Sequence, residues 1–239
     1  MIEIVNLSKD YGKKLAVDHM NLSLKDGEVF GLLGPNGAGK STTIKMMTGI
    51  LQPSDGDVIV QGHSIVRNAM EAKKNFTYVA DTPDFFLGMT ALDYFAFLAS
   101  VYQIPKDEFE KNLNMYSEIF HMKDALPELI VNDSHGMRQK VFLIGSLLLQ
   151  PKNWILDEPL TGLDPDAAYQ VKNLMRNMAK DGKTVLFSTH VLDVAEKVCD
   201  RIGIISHGQL RFAGSIDELR KKENILDGDL EDLFLNLTK

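Results

Sequence analysis

Short apolar runs and stretches of helical pattern alternate along most of this chain. The apolar runs predict strands, and apolar residues at helical spacing predict helices. Residues 15–24 predict a pair of short strands that leads to a hairpin turn at Asp26-Gly27. The predicted strands are residues 2–7, 15–24, 29–33, 57–61, 76–80, 153–157, 184–188, 202–205 and 209–212, and the predicted helices are residues 42–51, 165–180, 191–198, 216–222 and 230–237. This alternation predicts an α/β fold.

Residues 82–150 differ from the rest because they carry helical patterns only. Thr90 is a predicted N-cap with Asp93 at the third helical position, Pro105 begins a second helix, and a third helix runs from Ser134 to Leu149. The inner faces of the first two helices are predicted to be Leu92, Phe95, Ala96, Ala99 and Tyr102, then Phe109, Leu113, Tyr116 and Phe120. This segment predicts a helical insertion. Its aromatic residues Tyr94, Phe95 and Phe97 are interpreted as core packing in preference to a partner surface.

The composition indicates a globular protein with a sizeable core. The chain has 239 residues, of which 44% are hydrophobic and 25% charged. A net charge of -7 and a pI near 5.4 argue against nucleic-acid binding, which depends on a basic face. The single cysteine, Cys199, excludes an internal disulfide and fits a reducing cytosol. The N-terminus has no signal-peptide pattern, and the longest apolar stretch, at 141–149, is about half a membrane span. A cytoplasmic location is therefore expected.

A phosphate-binding loop is predicted between the strand at 29–33 and the helix at 42–51. The pattern G-x-x-x-x-G-K-[ST] is formed by Gly34, Pro35, Asn36, Gly37, Ala38, Gly39, Lys40 and Ser41, and Thr42 follows it. The glycines allow consecutive backbone N–H groups to point inward, and the helix N-terminus adds a partial positive charge. Lys40 is expected to reach the β- and γ-phosphates, and the Ser41 hydroxyl to bind Mg²⁺. In this context a chance glycine-rich turn is the weaker interpretation.

Two adjacent acids, Asp157 and Glu158, end the predicted strand at 153–157. Acids at the carboxyl end of a strand face the phosphate crevice of an open α/β sheet. Asp157 is expected to hold Mg²⁺ through water, and Glu158 to act as the general base on the attacking water. Alone, the pair would fit a solvated acidic turn equally well, but the upstream phosphate loop favours catalysis. A GTPase is excluded because the Asn/Thr-Lys-x-Asp tetrad does not occur in the sequence.

With these motifs, the chain resembles the nucleotide-binding subunit of ABC transporters over nearly its whole length. The matching motifs are Tyr11 for the adenine-stacking aromatic, residues 34–42 for Walker A, Ser134-His135-Gly136-Met137 with Arg138-Gln139-Lys140 for the signature, residues 153–158 for Walker B, Thr161-Gly162-Leu163-Asp164 for the D-loop, and His190 for the switch histidine. The resemblance implies that Ser134, Gly136 and Asp164 help to bind ATP and that His190 acts at the γ-phosphate. A lone histidine after a strand would otherwise be interpreted as structural.

The resemblance also implies the architecture and the partners. The fold expected is a RecA-like P-loop core sheet with an N-terminal antiparallel β-subdomain and an inserted all-helical subdomain. One ABC ATPase domain would span residues 1–239, with residues 1–81 and 151–239 as the core and residues 82–150 as the helical subdomain. The expected partners are a second ATPase subunit, in a head-to-tail homodimer around two ATP, and an ABC-2-type permease that holds the dimer on the inner face of the cell membrane.

Four positions depart from the family pattern. His135 and Met137 replace a Gly and the Gln of the signature, Asn153 begins Walker B, and Asp81 stands where most members have a Gln. A Ser-x-Gly-Met signature is similar to that of exporters with ABC-2-type permeases, most of all the Ecs-type and bacteriocin or peptide exporter ATPases. The C-terminal end, residues 230–238, also resembles this branch. Asp81 is expected to keep a role at Mg²⁺.

Three functions remain open at this point. The first is an ATPase subunit that powers an ABC exporter. The second is a non-transport ABC ATPase that acts on ribosomes or DNA, a class that usually carries a second ATPase domain or basic insertions. The third is a nucleotide-gated regulatory module with weak turnover, which Glu158 and His190 disfavour and which His135 and Asp81 keep open. The surface at 81–88, with Phe85 and Phe86, is expected to receive the permease by analogy with the family.

Overall fold

The computed structural model describes residues 1–82, 84–222 and 230–238. Its strands are β1 (Ile2–Asp10), β2 (Leu15–Leu24), β3 (Val29–Leu33), β4 (Asp55–Val60), β5 (His63–Ser64), β6 (Phe76–Val79), β7 (Asn153–Leu156), β8 (Thr184–Thr189), β9 (Arg201–Ser206) and β10 (Gln209–Gly214). Its helices are α1 (Lys40–Met47), α2 (Ala69–Lys73), α3 (Ala91–Tyr102), α4 (Lys106–Ile119), α5 (His135–Leu148), α6 (Pro165–Lys180), α7 (Leu192–Val198), α8 (Ile216–Lys222) and α9 (Leu230–Thr238). The predicted α/β class is confirmed.

The strands form two sheets. A four-stranded antiparallel sheet has the order β2-β1-β4-β5, and a six-stranded sheet has the order β10-β9-β3-β8-β7-β6. In the second sheet β9, β3, β8, β7 and β6 are parallel and β10 is antiparallel to β9. The carboxyl ends of β3, β6, β7 and β8 therefore meet at one edge. In an open α/β sheet this edge forms the ligand crevice.

Residues 15–24 form one strand, so the prediction of a short strand pair is wrong. The strand contains a bulge: His19 has φ 44°, its backbone N–H donates to the Ser8 hydroxyl, and the register against β1 shifts on both sides. The bulge shifts the alternation of apolar and polar residues by one position, so that in the sequence the single strand has the pattern of two short strands. The turn at Asp26-Gly27 is likewise no hairpin, because β2 pairs with β1 while β3 pairs with β8 and β9.

Helices α3, α4 and α5 lie between β6 and β7, as the helical patterns predict. The Thr90 hydroxyl accepts from the Asp93 N–H, and the Ser134 hydroxyl accepts from the Met137 N–H. Tyr94 and Phe95 are buried, whereas Phe97 is 45% exposed, so the aromatic residues are only partly core. The buried apolar residues of these helices join those of β7 and β8 in one cluster. The division of the chain into a core (residues 1–81 and 151–239) and a helical subdomain (residues 82–150) stays a prediction.

No helix within the described residues is both long enough and apolar enough to cross a membrane.

Candidate functional site

The loop between β3 and α1 is shaped by two glycines that approach other backbone closely. Gly39 has φ 114°, and a Cβ there would lie 2.6 Å from the Ala16 carbonyl oxygen. A Cβ on Gly34 would lie 2.5 Å from the Ile205 carbonyl oxygen. A side chain at either position would displace backbone, so the tight turn depends on glycine. The turn brings the N-terminus of α1 to the edge where the parallel strands end.

Lys40 lies folded back on this loop. Its Nζ donates to the Gly34 carbonyl at 2.7 Å and to the Pro35 carbonyl at 3.4 Å, and it lies 3.6 Å from Oε1 of Glu158. The side chain is only 6% exposed. A buried ammonium requires anionic or carbonyl oxygens around it. A nucleotide phosphate supplies such oxygens, and the N-terminus of α1 next to Lys40 favours an anion.

The cleft in front of the loop has a volume of about 280 Å³. It is lined by Tyr11, Lys14, Ala16, Pro35, Asn36, Gly37, Gly39, Lys40, Ser41, Thr42, Asp81 and Glu158. Most of the predicted nucleotide-binding residues therefore meet at one place. Tyr11 is 57% exposed at the cleft, and the Lys9 Nζ lies over its ring, 5.3 Å from the ring centre. Lys14 and Ala16 were missed in the sequence, because no motif marks them.

Oxygen atoms suited to Mg²⁺ lie at the inner end of the cleft. The Ser41 hydroxyl donates to Oδ1 of Asp157 at 3.2 Å, and the Ser188 hydroxyl donates to the same oxygen at 2.6 Å. Asp157 is 1% exposed. Hydroxyl and carboxylate oxygens fit Mg²⁺, which usually binds one or two protein groups together with substrate phosphates. No group of three or more His, Cys, Asp or Glu side chains is arranged around a metal position in residues 1–82, 84–222 and 230–238.

Asp81 lies at the same cleft without a direct contact to Asp157. Desolvation raises the pKa of the Asp81 carboxyl although part of the residue is open to solvent, and the negative charges of Asp157 and Glu158 raise it further. The nearby His135 and His190 lower the pKa of Asp81. A cation bound in the cleft would offset this crowding of carboxylates. The role of Asp81 at a metal stays a prediction.

Glu158 is held between a cation and an imidazole. One carboxylate oxygen faces Lys40, and the other, Oε2, lies 3.0 Å from Nδ1 of His190. The backbone of Glu158 has φ 47°, and its N–H donates to the Ser188 hydroxyl at 2.9 Å. A positive φ is uncommon for a residue with a side chain and marks a functional constraint in many active sites. The arrangement presents a fixed carboxylate to the cleft, as general base catalysis on a water requires.

The signature residues and Asp164 lie outside the cleft lining. Ser134 caps α5, Gly136 follows it in the first turn, and the Ser134 hydroxyl and the helix N-terminus are exposed enough to meet an anion. Asp164 caps α6 by accepting from the Ala167 N–H at 2.8 Å and pairs with Lys140 Nζ at 2.6 Å. Those two contacts, the backbone hydrogen bond first, lower the pKa of Asp164. The nucleotide roles of these three residues stay predictions.

Ser188 is the main residue that sequence reasoning missed. Its hydroxyl connects the predicted metal ligand Asp157 to the backbone of the predicted base Glu158, and it is fully buried. The sequence contains a hint, because Ser188 precedes Thr189-His190 at the end of a strand that neighbours β7. The sequence alone does not show that Ser188 contacts Asp157 and Glu158, because this depends on the pairing of β8 with β7.

Comparison with known proteins agrees with these motifs. The model of the family described as "ABC transporter" matches residues 17–161. The ABC-type transporter ATP-binding protein EcsA of Bacillus subtilis (strain 168) is 33% identical over 239 residues, which cover 100% of this chain and 97% of that protein. The bacitracin transport ATP-binding protein BcrA of Bacillus licheniformis is 32% identical over 223 residues, which cover 93% of this chain and 72% of that protein.

A solved structure described as the ATP binding subunit of an ABC transporter has the same fold. It superposes with a TM-score of 0.95 at 30% identity and covers 100% of both chains. The family match spans more than half of the chain and contains the phosphate loop, the signature and the Asp157-Glu158 pair. The chain therefore belongs to the ABC transporter family and is one of its ATP-binding subunits, an ATPase.

Proposed function

We propose that this chain powers an ABC exporter as a homodimer that closes head-to-tail around two ATP molecules. One observation carries the proposal: Lys40, Ser41 and Glu158 line one cleft, whereas Ser134 and Gly136 do not. A site that needs both sets of residues is therefore completed by a second copy of the chain. ATP would join the two copies, and its hydrolysis would separate them, which is a binding-driven switch.

Within each site, Lys40 and the loop backbone bind the phosphates, and Tyr11 packs on the adenine. Ser41 and Asp157, with Asp81 beside them, hold Mg²⁺, which stabilises the charge that develops on the phosphate oxygens. Glu158 takes the proton of the attacking water, and His190 orients the Glu158 carboxylate. Ser134, Gly136 and Asp164 of each copy contribute to the site of the other.

The proposed second partner is an ABC-2-type permease, which would hold the dimer on the inner face of the cell membrane. The relatives are named for transport, and the Ser-x-Gly-Met signature favours the exporter branch. Phe85 and Phe86 support a docking surface between the cleft and α3, because they are 59% and 46% exposed. Phe86 also stacks at 5.2 Å on Tyr94 and lies 5.8 Å from Phe97, so the patch is an ordered aromatic surface.

The solution mass of Glu158→Gln with ATP and Mg²⁺ tests the dimer. Loss of the base is expected to trap ATP, and the mass should change from that of the 26.7 kDa monomer to twice that value. Adding Lys40→Met to the same variant is the matched control, since it removes the phosphate contact and should leave a monomer. A monomer that still binds ATP in the Glu158→Gln variant would contradict closure by this chain alone and favour a regulatory nucleotide sensor.

Membrane fractionation in the native host tests the permease. A tagged chain is expected to sediment with membranes, and replacing Phe85 and Phe86 with Ala should move it to the supernatant. Met70→Ala is the control, because Met70 is 72% exposed and lies on α2, outside the proposed surface. Unchanged sedimentation of the Phe85 and Phe86 variant would exclude this surface as the docking site.

A further inference from the structure

Helix α5 packs against the segment that follows the proposed base, which we call the connecting segment (residues 159–164). A Cβ added to Gly136 would lie 2.4 Å from the Gly162 carbonyl oxygen, and one added to Gly162 would lie 2.5 Å from Cδ2 of His135. The first turn of α5 and the middle of the connecting segment are thus in backbone contact. Such a close approach transmits a displacement of one segment directly to the other.

Two side chains of α5 hold the ends of the connecting segment. Gln139, which is fully buried, directs its Nε2 at the Pro159 carbonyl at 3.4 Å. Lys140 pairs with Oδ2 of Asp164 at 2.6 Å, and its side chain is only 14% exposed. Because the other oxygen of Asp164 caps α6, the Lys140 contact ties α5, the connecting segment and α6 together. The segment is therefore fixed at its first and last residues.

The geometry of Glu158 depends on the connecting segment. The Thr161 N–H donates to the Glu158 carbonyl at 3.2 Å, and the positive φ of Glu158 requires support from the turn around it. On the other side of this residue, the Ser188 hydroxyl accepts a hydrogen bond from its N–H. A shift at Asp164 would thus rotate the Glu158 carboxylate relative to Lys40 and His190.

We propose that Lys140 is a positioning residue for ATP hydrolysis, which holds Asp164 and thereby fixes the connecting segment and the direction of the Glu158 carboxylate. Lys140 does not line the nucleotide cleft of its own chain, and its ammonium group is paired with Asp164, so we place its effect at Asp164. This inference rests on the proposed function, because it takes Glu158 as the base. Catalysis is sensitive to such placement, since small errors in the position of a catalytic group lower the rate strongly.

Lys140→Met tests the inference, with Lys140→Arg as the conservative variant. Met keeps most of the aliphatic part of the lysine side chain. Asp164 is expected to remain the cap of α6, because half of its side chain is exposed and water can replace the lost ammonium group. The kcat of ATP hydrolysis is expected to fall about tenfold in Lys140→Met, which is ~1.4 kcal/mol of the barrier. The affinity for a fluorescent ATP analogue should stay unchanged, and Lys140→Arg should restore the rate. Lys74→Met is the control, since it removes an ion pair of the same 2.6 Å length on the exposed surface near α2.

The inference requires a lower kcat in Lys140→Met together with unchanged affinity for the ATP analogue and a normal rate in Lys140→Arg. A lower kcat without those two results would overturn it. A normal kcat in Lys140→Met contradicts it directly. So does a low kcat that Arg does not restore, or an equal defect in Lys74→Met, because these indicate a general structural effect. Lys140→Gln is measured as well, so that poor folding of one variant does not decide the outcome.

Two variants separate this inference from the proposed function. Glu158→Gln alone must abolish hydrolysis; if it does not, the proposed base is wrong whatever Lys140 does. The double variant Glu158→Gln, Lys140→Met should form the ATP-dependent dimer to the same extent as Glu158→Gln. A weaker dimer would show that Lys140 acts on the nucleotide site of the partner, through Asp164 or through the signature residues, and would overturn its positioning of Glu158.

Discussion

Nδ1 of His190 lies 3.0 Å from Oε2 of Glu158 at the ends of the neighbouring strands β8 and β7. A carboxylate only accepts hydrogen bonds, so Nδ1 donates in this contact. The imidazole thereby fixes one oxygen of Glu158 while the other faces Lys40. In the proposed mechanism the two residues act together, because His190 sets the direction of the Glu158 carboxylate.

His190→Ala is expected to lower kcat of ATP hydrolysis about 100-fold, the lower end of what a positioned acid–base group contributes. The affinity for ATP should change by a much smaller factor, because His190 does not line the nucleotide cleft. Phosphate release and fluorescent nucleotide titration measure the two effects. His121→Ala serves as the control, since His121 is an exposed residue that pairs with Asp166 at 3.4 Å. A normal kcat in His190→Ala would contradict the proposal that His190 sets the direction of the Glu158 carboxylate.

Ser188→Ala should affect both stability and catalysis. It leaves the Glu158 N–H without its partner and Asp157 with one hydroxyl fewer, and a buried polar group that loses its partner costs about 2 kcal/mol. Urea unfolding followed by the fluorescence of Trp154, the only tryptophan, measures the loss. Ser146→Ala is the matched control, because it removes a buried hydroxyl that accepts a hydrogen bond from Trp154 Nε1 at 2.9 Å outside the cleft. Equal kcat values in the two variants would argue against the role of Ser188.

Lys40→Met is expected to weaken ATP binding about 100-fold, which corresponds to two charge-assisted hydrogen bonds of roughly 1.5 kcal/mol each. Lys40 is buried at the base of the loop. Titration with a fluorescent ATP analogue is the measurement. Lys14→Met is the comparison, since Lys14 also lines the cleft but is exposed and should contribute less. Equal losses in the two variants would indicate a general electrostatic effect.

The stability should fall in alkaline solution because of buried tyrosines. Burial raises the pKa of Tyr78, Tyr94 and Tyr116, and the negative charges of Asp157 and Asp81 contribute at Tyr78. The contribution of these phenols to the free energy of unfolding is at its full value below about pH 10, the pKa of tyrosine in the unfolded chain. Above that pH the unfolded chain releases protons that the folded chain keeps, so the free energy of unfolding decreases as pH rises.

Urea unfolding at pH values on both sides of about 10 measures this decline. Tyr94→Phe should make the decline shallower, because it removes one of the three phenols. Tyr169→Phe is the control, since Tyr169 is 58% exposed. A decline that is the same in wild type and Tyr94→Phe would show that Tyr94 does not contribute to it.

The local elements could be predicted from the sequence because their causes are local. The phosphate loop, the cap at Thr90, the start of α5 next to Ser134, and helix α6 at 165–180 follow from residues within a few positions of each other. The bulge at His19 could not be predicted, because it depends on a hydrogen bond to Ser8 on the neighbouring strand. The turn after β2 was misjudged for the same reason, since only strand pairing shows that β3 belongs to the other sheet.

The sequence by itself determined the chemistry of this protein: a lysine and a serine after a glycine-rich turn, two acids after a strand, and a histidine after another strand. Tertiary structure alone decided which of these groups touch. The parallel order of β3, β8 and β7 brings Ser188 between Asp157 and Glu158. The packing of α5 leaves Ser134 outside the cleft and sets Lys140 against Asp164. The physical reason is that hydrogen bonds and ion pairs act over a few ångströms, and residues far apart in sequence come that close only after the sheets and helices pack.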